Sequence, residues 1–247
     1  NCDVIKSRRV GIKCDDGAVV QIQDCRIDDA KSHGVLLKEV GDSSFLRTSI
    51  KSSGRNGMRI RGDSDPIIKE CLIQDNSVYG IECIDGASPK ILASVIANNG
   101  STGIRLQRWD SLIQNSTITG NHVGGIYADA RCQGQIDGNT VQDNKLFGVH
   151  LRLACSTAIT SNRVIGNHGT GLWLEQGSVP NQMSNNQFFD NTNAALRNET
   201  NTAVDAGGNW WGTTNQDQIA QRVQAQHDNP EWGLVTLDPL LEEASTH

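Results

Sequence analysis

A Gly-apolar-x-apolar signature recurs eight times along the chain at an almost constant interval of 23 residues. Its copies begin at Gly11, Gly34, Gly57, Gly80, Gly103, Gly125, Gly148 and Gly171. Every step is 23 residues except the 22-residue step from Gly103 to Gly125. A fixed period of this length is typical of a repeat array, in which each unit buries its apolar edge only against its neighbours. The sequence therefore predicts a solenoid.

Each repeat carries two further apolar positions five residues apart, as in Ile113 and Ile118. A small or amide residue such as Ser116 lies between them, and a turn residue such as Asn121 follows. Stacked Asn side chains at the turn are expected to hydrogen-bond along a ladder. Short runs of alternating polarity, broken by Gly, Asn and Ser, indicate strands that stack at roughly 4.8 Å. The pattern predicts an all-β fold, a right-handed single-stranded parallel β-helix of about nine 23-residue rungs. The Leu-x-x-Leu-x-Leu frame of leucine-rich repeats, the nearest competitor, is absent.

The unbroken repeat makes the 247 residues one domain, with the β-helix over residues 1–212 and a small helix and loop cap over residues 213–247. A net charge of −6, with both signs interspersed along the rungs, argues against a nucleic-acid partner. No stretch of 18 apolar residues exists, so we expect no membrane span. No signal peptide is visible, and the chain begins in mid-rung, which implies a trimmed chain, a processed product, or a piece of a longer protein with other domains.

The repeat ends at the Asn-Trp-Trp-Gly motif of residues 209–212, and residues 216–227 have the spacing of a helix. An open rung exposes strand edges and an apolar floor, so a solenoid needs a cap. We expect three tryptophans to form the apolar lid, with carbohydrate stacking as the alternative. They are Trp210, Trp211 and Trp232.

The seven cysteines fall on inward or turn positions of the repeat, where free thiols are expected to act as small buried apolar groups. Cys2 and Cys25, and likewise Cys132 and Cys155, are 23 residues apart. Each pair should be stacked on neighbouring rungs, so a disulfide in an oxidising compartment is the alternative. No Cys or His spacing supports a zinc site. The sequence predicts no cofactor, although calcium at the Asp-Ser-Asp turn of residues 63–65 stays open.

The Gly-Ile-x-Leu rungs, the terminal Asn-Trp-Trp-Gly-Thr-Thr, the Ile-x-x-x-Val segment and the closing Val-x-x-x-Pro-Leu-Leu together resemble the family of secreted parallel β-helix repeat proteins. This pectate-lyase-like superfamily includes carbohydrate-binding and sugar-hydrolase domains, pectate-lyase-like enzymes and alginate C5-epimerases. The resemblance implies an extracellular, cell-surface or periplasmic location and a polysaccharide or surface glycan as partner. Buried free thiols leave a cytoplasmic location open. The matching residues are structural, so the resemblance is specific for fold rather than for activity.

Function is expected on the residues that point outward from the Gly-apolar strands, because alternate side chains of a strand face solvent. Two outward columns then form one flat strip that is rich in Arg, aromatic and acidic residues in its middle and C-terminal rungs. The candidate catalytic residues are Tyr127, Asp129, His150 and Arg152. The candidate substrate-binding residues are Arg59, Arg61, Arg105, Gln107, Trp173 and Glu175.

The resemblance to the epimerase and lyase branches implies that Tyr, His, Arg and Asp on such a strip act on uronate sugars. That chemistry needs an Arg to neutralise the substrate carboxylate, a base such as His to remove the C5 proton, and a Tyr to donate or accept the compensating proton. The sequence thus favours a polysaccharide-interacting β-helix and leaves lyase, epimerase or glycoside hydrolase activity undecided. The alternative is a non-catalytic scaffold or protein-binding repeat, in which the outward charges only solvate the sheet and pair across rungs.

Overall fold

The computed structural model of the chain describes residues 2–243. Its strands are short, and all of the strand pairs are parallel, as between Leu72 and Val95 of adjacent rungs. The first strands, in chain order, are β1 Asp3–Ile5, β2 Ile12–Asp15, β3 Gln21–Gln23, β4 Arg26–Asp28, β5 Val35–Lys38, β6 Ser44–Leu46, β7 Ser49–Lys51, β8 Met58–Arg61, β9 Ile67–Lys69 and β10 Leu72–Gln74. Next come β11 Ile81–Ile84, β12 Lys90–Leu92, β13 Val95–Ala97, β14 Ile104–Gln107, β15 Leu112–Gln114, β16 Thr117–Thr119, β17 Gly124–Asp129, β18 Gln135–Asp137, β19 Thr140–Gln142 and β20 Phe147–Leu151. The last elements are β21 Ala158–Thr160, β22 Arg163–Ile165, β23 Thr170–Glu175, β24 Met183–Ser184, β25 Gln187–Phe189, β26 Ala194–Glu199, β27 Val204–Asp205, α1 Gln216–Ala220, β28 Val223–Gln224 and β29 Val235–Thr236.

Every third strand belongs to the same sheet, so the chain is a three-sided coil. The first sheet has nine strands, from β1 to β25; the second has ten, from β2 to β28; and the third has eight, from β3 to β24. A separate pair, β27 and β29, lies in the cap. The parallel β-helix predicted from the repeat is confirmed, with about ten turns in the second sheet rather than nine.

The core is a column of mainly aliphatic side chains, with one from the first sheet, one from the third sheet and two from the second sheet in most rungs. Ile50, Ile73 and Ile96 stack in the first sheet and are fully buried. Burying a side chain of this size stabilises the fold by about 1.5–3 kcal/mol relative to leaving it exposed. Val4 and Ile12, in the first rung, are only partly buried.

An asparagine ladder runs along the corner that follows the first sheet, as predicted. The buried Asn144 accepts hydrogen bonds from the backbone N–H (3.1 Å) and side-chain amide (3.0 Å) of Asn121. It donates to the Ile118 carbonyl (3.1 Å) and to Asn167 Oδ1 (3.0 Å). The ladder therefore satisfies buried polar groups that would otherwise be costly.

One residue with positive φ turns the chain at the same corner. In successive rungs it is Asn98 (φ 53°), Gly120 (φ 64°) and Asp143 (φ 54°). Asn, Asp and Gly tolerate this left-handed region better than other residues. The corner explains why these types recur with the repeat.

The connection between β14 and β15 is one residue shorter than those before and after it, and it accounts for the 22-residue step. Trp109 fills this corner and is fully buried. A Cβ on Gly134, in the next rung, would lie 2.4 Å from the Trp109 ring. The strands on either side of the corner keep their pairing, as in Leu106 with Ala128 and Ile113 with Ile136.

The cap differs from the sequence prediction in its helix. Within residues 213–243 of the cap only α1 is helical, with Asn215 as its N-cap, and the expectation of a helix as far as residue 227 is wrong. Val223 pairs with Leu196 and adds the last strand of the second sheet. Val223 and Gln224 therefore pair with the open edge of β26 instead of continuing the helix.

Of the three lid tryptophans, Trp211 is buried and its ring centroid lies 5.4 Å from that of Phe188. Trp210 and Trp232 are half-buried. No helix within residues 2–243 is long and apolar enough to cross a membrane.

Candidate functional site

The outward residues of the second sheet lie in two columns. In the first column, Arg105 is in register with Tyr127, Tyr127 with His150, and His150 with Trp173. The second column runs alongside it; there Gln107 is in register with Asp129. We call the outward face from β8 to β26 the strip. Its geometry follows from strand alternation, since parallel strands in register stack equivalent side chains.

Aromatic rings cover His150 on several sides. Its ring is parallel to that of Trp173, with centroids 4.2 Å apart and an interplanar angle of 4°. Tyr127 and Phe147 make edge contacts with it, and their ring centroids lie 5.2 and 5.3 Å from the His150 centroid. His150 is therefore only 7% exposed although it is on the outer face of the sheet.

Burial favours the neutral imidazole of His150 at neutral pH. Burial lowers its pKa below the ordinary value of 6.5, and the hydrogen bond with Glu175 opposes this shift without reversing it. Nε2 lies 3.0 Å from Glu175 Oε2, so the neutral ring donates from Nε2 and keeps a lone pair on Nδ1. A neutral histidine with its tautomer fixed by a carboxylate has the chemistry of a general base.

Arg152 and Tyr127 form the other half of the predicted square. The Tyr127 hydroxyl lies close to the guanidinium, and this interaction raises the pKa of Arg152. Arg152 Nε also lies 3.1 Å from Gln176 Oε1 and 3.7 Å from Glu175 Oε2. The Arg152 guanidinium therefore lies beside His150, among the Tyr127 hydroxyl, the Gln176 side-chain amide and the Glu175 carboxylate.

Charges of alternating sign connect the lower rungs of the strip. Glu82 is 8% exposed and lies 3.2 Å from Arg59 Nε and 3.0 Å from Arg105 Nη1. Asn56 donates a further hydrogen bond to Glu82 at 2.8 Å. Arg105 reaches Asp129 at 3.7 Å, and Asp129 Oδ1 has no hydrogen-bond partner among residues 2–243. Much of the predicted binding strip is thus an internal ion-pair network.

The cap closes the C-terminal end of the strip. Arg197 is sandwiched between the rings of Trp173 and Trp232, at 5.1 and 5.2 Å from their centroids. Trp173 Nε1 donates to Glu199 at 2.7 Å. Stacking a guanidinium between two indoles stabilises the contact of cap and coil.

A groove of about 500 Å³ borders the second column, at the corner that follows the second sheet. Arg108 and Arg131 are exposed there, and neither makes an ion pair with any residue in the range 2–243. The other lining residues are Ala130, Leu153, Ala154 and Gln176. Sequence reasoning missed this groove because it considered strand positions, and the two arginines lie in corners.

The structure brings together Tyr127, Asp129, His150, Arg152, Trp173 and Glu175 with Arg105. Arg61 lies apart from this cluster, 3.3 Å from Asp85. At the Asp-Ser-Asp turn considered for calcium, Ser64 Oγ donates to the Arg61 carbonyl at 2.9 Å. No group of three or more His, Cys, Asp or Glu residues within the described part of the chain is arranged to hold a metal ion.

Comparison with known proteins identifies the architecture. A sequence profile described as "Right handed beta helix region" matches residues 1–132 and 89–210. The A-module of the Azotobacter vinelandii mannuronan C-5 epimerase AlgE4 has a similar structure, with a TM-score of 0.62 and 16% identity over 94% of this chain. The present chain spans 59% of that module. No curated protein sequence matches the chain. At this identity the likeness shows the fold alone.

Proposed function

The chain belongs to the right-handed beta helix family, and within that family we propose that it binds an acidic, uronate-containing polysaccharide along the strip and the bordering groove. The observation that supports this most is the pair of arginines without ion-pair partners among the described residues, Arg108 and Arg131, in a groove that borders the second column of the strip. Guanidinium groups recognise carboxylates through paired hydrogen bonds.

A linear polymer suits this face better than a small ligand. The outward positions repeat at roughly 4.8 Å per rung, about the length of one sugar residue, so successive sugars would meet equivalent positions. The groove spans several rungs, from Arg108 to Gln176. Within the strip most charges are already paired, so the free arginines of the groove are the ones available to a carboxylate.

Binding is tested with alginate, polygalacturonate and glucuronan, using neutral dextran as the comparison. We expect the acidic polymers to bind and the double variant Arg108→Gln/Arg131→Gln to lose about tenfold in affinity, since each exposed ion pair contributes up to about 1 kcal/mol. Binding should weaken with added salt. Arg8→Gln/Arg9→Gln, which removes two exposed arginines from the first rung, is the matched control. Equal affinity of both double variants, or binding of dextran alone, would contradict the proposal.

A lyase or epimerase reaction at C5 of the bound uronate is the second candidate, and the neutral His150 beside Tyr127 and Arg152 favours it. His150 would remove the C5 proton and Arg152 would stabilise the charge that develops on the carboxylate. Tyr127 would then donate a proton, either to the opposite face of C5 in an epimerase or to the leaving O4 oxygen as the C4–O4 bond breaks and the C4–C5 double bond forms in a lyase. The predicted glycoside hydrolase alternative has weaker support. Asp129 faces Arg105 whereas Glu175 is bonded to His150, so the two carboxylates do not converge on a common point.

Turnover is tested by the absorbance of unsaturated uronate and by deuterium incorporation at C5 in heavy water. Expected results are activity in the wild type, its loss in His150→Gln with polymer binding retained, and no change in His168→Gln, an exposed histidine of the next rung. A wild-type protein that binds polymer yet forms neither double bonds nor deuterated product would be a binding module only.

The proposed location is outside the cytoplasm, where such polymers occur. If no acidic polymer binds, the scaffold or protein-binding alternative gains support.

A further inference from the structure

A second concave site lies at the junction of the last rung and the cap. It is a pocket of about 310 Å³ on the outer face of the first sheet, whereas the strip is on the second. Its lining includes Asp190, which follows β25, Gln218 of α1, and Arg222, which follows α1. Trp210 and Trp211 lie between them. Pockets of this kind often form where two structural units meet.

The two tryptophans have different roles in the pocket. Trp211 turns inward onto Phe188 and is 1% exposed, whereas Trp210 stays half-exposed. Gly212 follows with φ 84°, and a Cβ there would lie 2.7 Å from the Cβ of Phe189. Only glycine therefore allows the chain to turn at this point and leave Trp210 in the pocket wall.

Three polar side chains line the same pocket as Trp210. Asp190, Gln218 and Arg222 are exposed, and none of their side chains makes a hydrogen bond or ion pair with residues 2–243. Together they offer a carboxylate acceptor, an amide and a guanidinium donor with no net charge. This contrasts with the strip, where most charges are neutralised by neighbours.

We propose that this pocket binds a neutral pyranose, such as a terminal or side-chain sugar of a glycan. The C–H face of the ring packs on Trp210, and adjacent hydroxyls bond to Asp190 and Arg222. An apolar ligand would leave three polar groups desolvated, and an anion would meet the Asp190 carboxylate. A divalent cation would find a single carboxylate, fewer than calcium requires. The site is independent of the acidic polymer proposed for the strip.

The experiment titrates the whole chain with the methyl glycosides of glucose, galactose and mannose, and with methyl glucuronide as the charged comparison. The indole N–H resonances are followed by NMR. Trp211 Nε1 is buried in the pocket wall and has no acceptor among the described residues, so its resonance is a sensitive reporter. It is assigned from the Trp211→Phe spectrum. We expect saturable shifts of the Trp210 and Trp211 resonances with at least one neutral glycoside and weaker binding of the glucuronide.

Trp210→Ala should weaken binding about tenfold, and Asp190→Asn about 2- to 10-fold. Both positions are at the surface, so thermal unfolding should confirm that the variants are folded. Arg8→Gln, at an exposed position of the first rung, is the control and should leave sugar affinity unchanged. No shift of the Trp210 and Trp211 resonances with any neutral glycoside, equal affinity in Trp210→Ala, or tighter binding of the glucuronide as read from these two resonances would overturn the proposal.

Discussion

In one column of stacked residues, Cys132, Cys155 and Ser178, each side chain accepts a hydrogen bond from a backbone N–H of the preceding rung. The acceptor is sulfur in two of these residues and oxygen in the third. Ser178 Oγ accepts a hydrogen bond from the backbone N–H of Cys155 at 3.0 Å. Cys155 Sγ accepts from Cys132 N at 3.2 Å, and Cys132 Sγ from Trp109 N at 3.4 Å. The two thiols are thus not joined in a disulfide, and each sulfur accepts a hydrogen bond from a backbone N–H. A disulfide between them would break these hydrogen bonds, which the buried N–H groups require.

At Cys155, serine should therefore be tolerated better than alanine. Cys155→Ser keeps an acceptor for the N–H of Cys132, whereas Cys155→Ala leaves that buried N–H unpaired at a cost of about 1–3 kcal/mol. Urea unfolding midpoints of the two variants provide the measurement.

Cys83 is the matched control, because it is fully buried among apolar side chains and burial raises the pKa of its thiol. There the order should reverse, since serine would bury an unpaired hydroxyl. The same order at both positions would contradict a ladder role for Cys155.

The sequence pattern correctly predicted that Cys132 and Cys155 are buried, although it treated them as apolar groups, and it was wrong for Cys2, which is exposed at the uncovered first rung. Their acceptor role depends on the offset between one rung's side chain and the next rung's N–H. Repeat spacing shows that two residues are stacked, not which atoms meet. Cys132 and Ser178 occupy the same column, and this exchange of Cys for Ser was the available signal.

At the scale of the element, the asparagine ladder joins rungs at a corner where strands end. Asn144→Asp should destabilise the coil by more than about 2 kcal/mol at neutral pH. A carboxylate cannot donate to Ile118 or Asn167, and its charge would be buried beside their oxygens. Acid should partly restore the stability of this variant, because protonation of the introduced carboxylate regains one donor.

Thermal unfolding of Asn144→Asp between pH 4 and 8 gives the measurement, with Asn201→Asp in an exposed segment as control. A variant at residue 144 as stable as the control would show that the ladder contributes little.

Strands were more predictable than the cap. Inward positions recur in every rung, so an ambiguous position in one rung is resolved by the equivalent positions in the others. The pairing of residues such as Ile73 and Ile96 could therefore be read from the 23-residue spacing. Residues 216–227 have no second copy. Local spacing there suggested a helix, but the free edge of β26 captured Val223, and a tertiary contact of this kind overrides propensity.

For the whole molecule, two buried histidines make stability depend on pH. Burial is the main cause that lowers the pKa of both His33 and His150 below the ordinary 6.5. His33 Nδ1 also accepts the backbone N–H of Asn56 at 3.4 Å, which requires a neutral ring. Below about pH 6.5 the unfolded chain binds more protons than the folded chain, so stability falls as the pH falls through the folded pKa values.

We expect the melting temperature to drop between about pH 7 and pH 5. His33→Gln/His150→Gln should flatten this dependence, whereas His227→Gln, at an exposed position of the cap, should leave it intact. A wild-type curve that is level over this range would contradict the argument. Differential scanning calorimetry in buffers of matched ionic strength makes the comparison.

At the scale of the whole molecule, the sequence predicted one part of the candidate site, the outward column of the strip, but not the groove or the ion pairs. Alternation along a strand assigned Tyr127, His150 and Trp173 to one outward column, and the structure places them in contact. The groove and the pairing of Glu82 with two arginines depend on side-chain reach and on corner geometry. Neither has a signature in the repeat.

The short connection between β14 and β15 shows that the coil accepts a change of length without losing register. Its corner loses a residue, Trp109 fills the space, and the strands on both sides pair as before. This connection is therefore a suitable place to insert a foreign loop. Because Arg108 lies in the same corner, the graft would rise beside the groove and give an open surface the wall of a cleft.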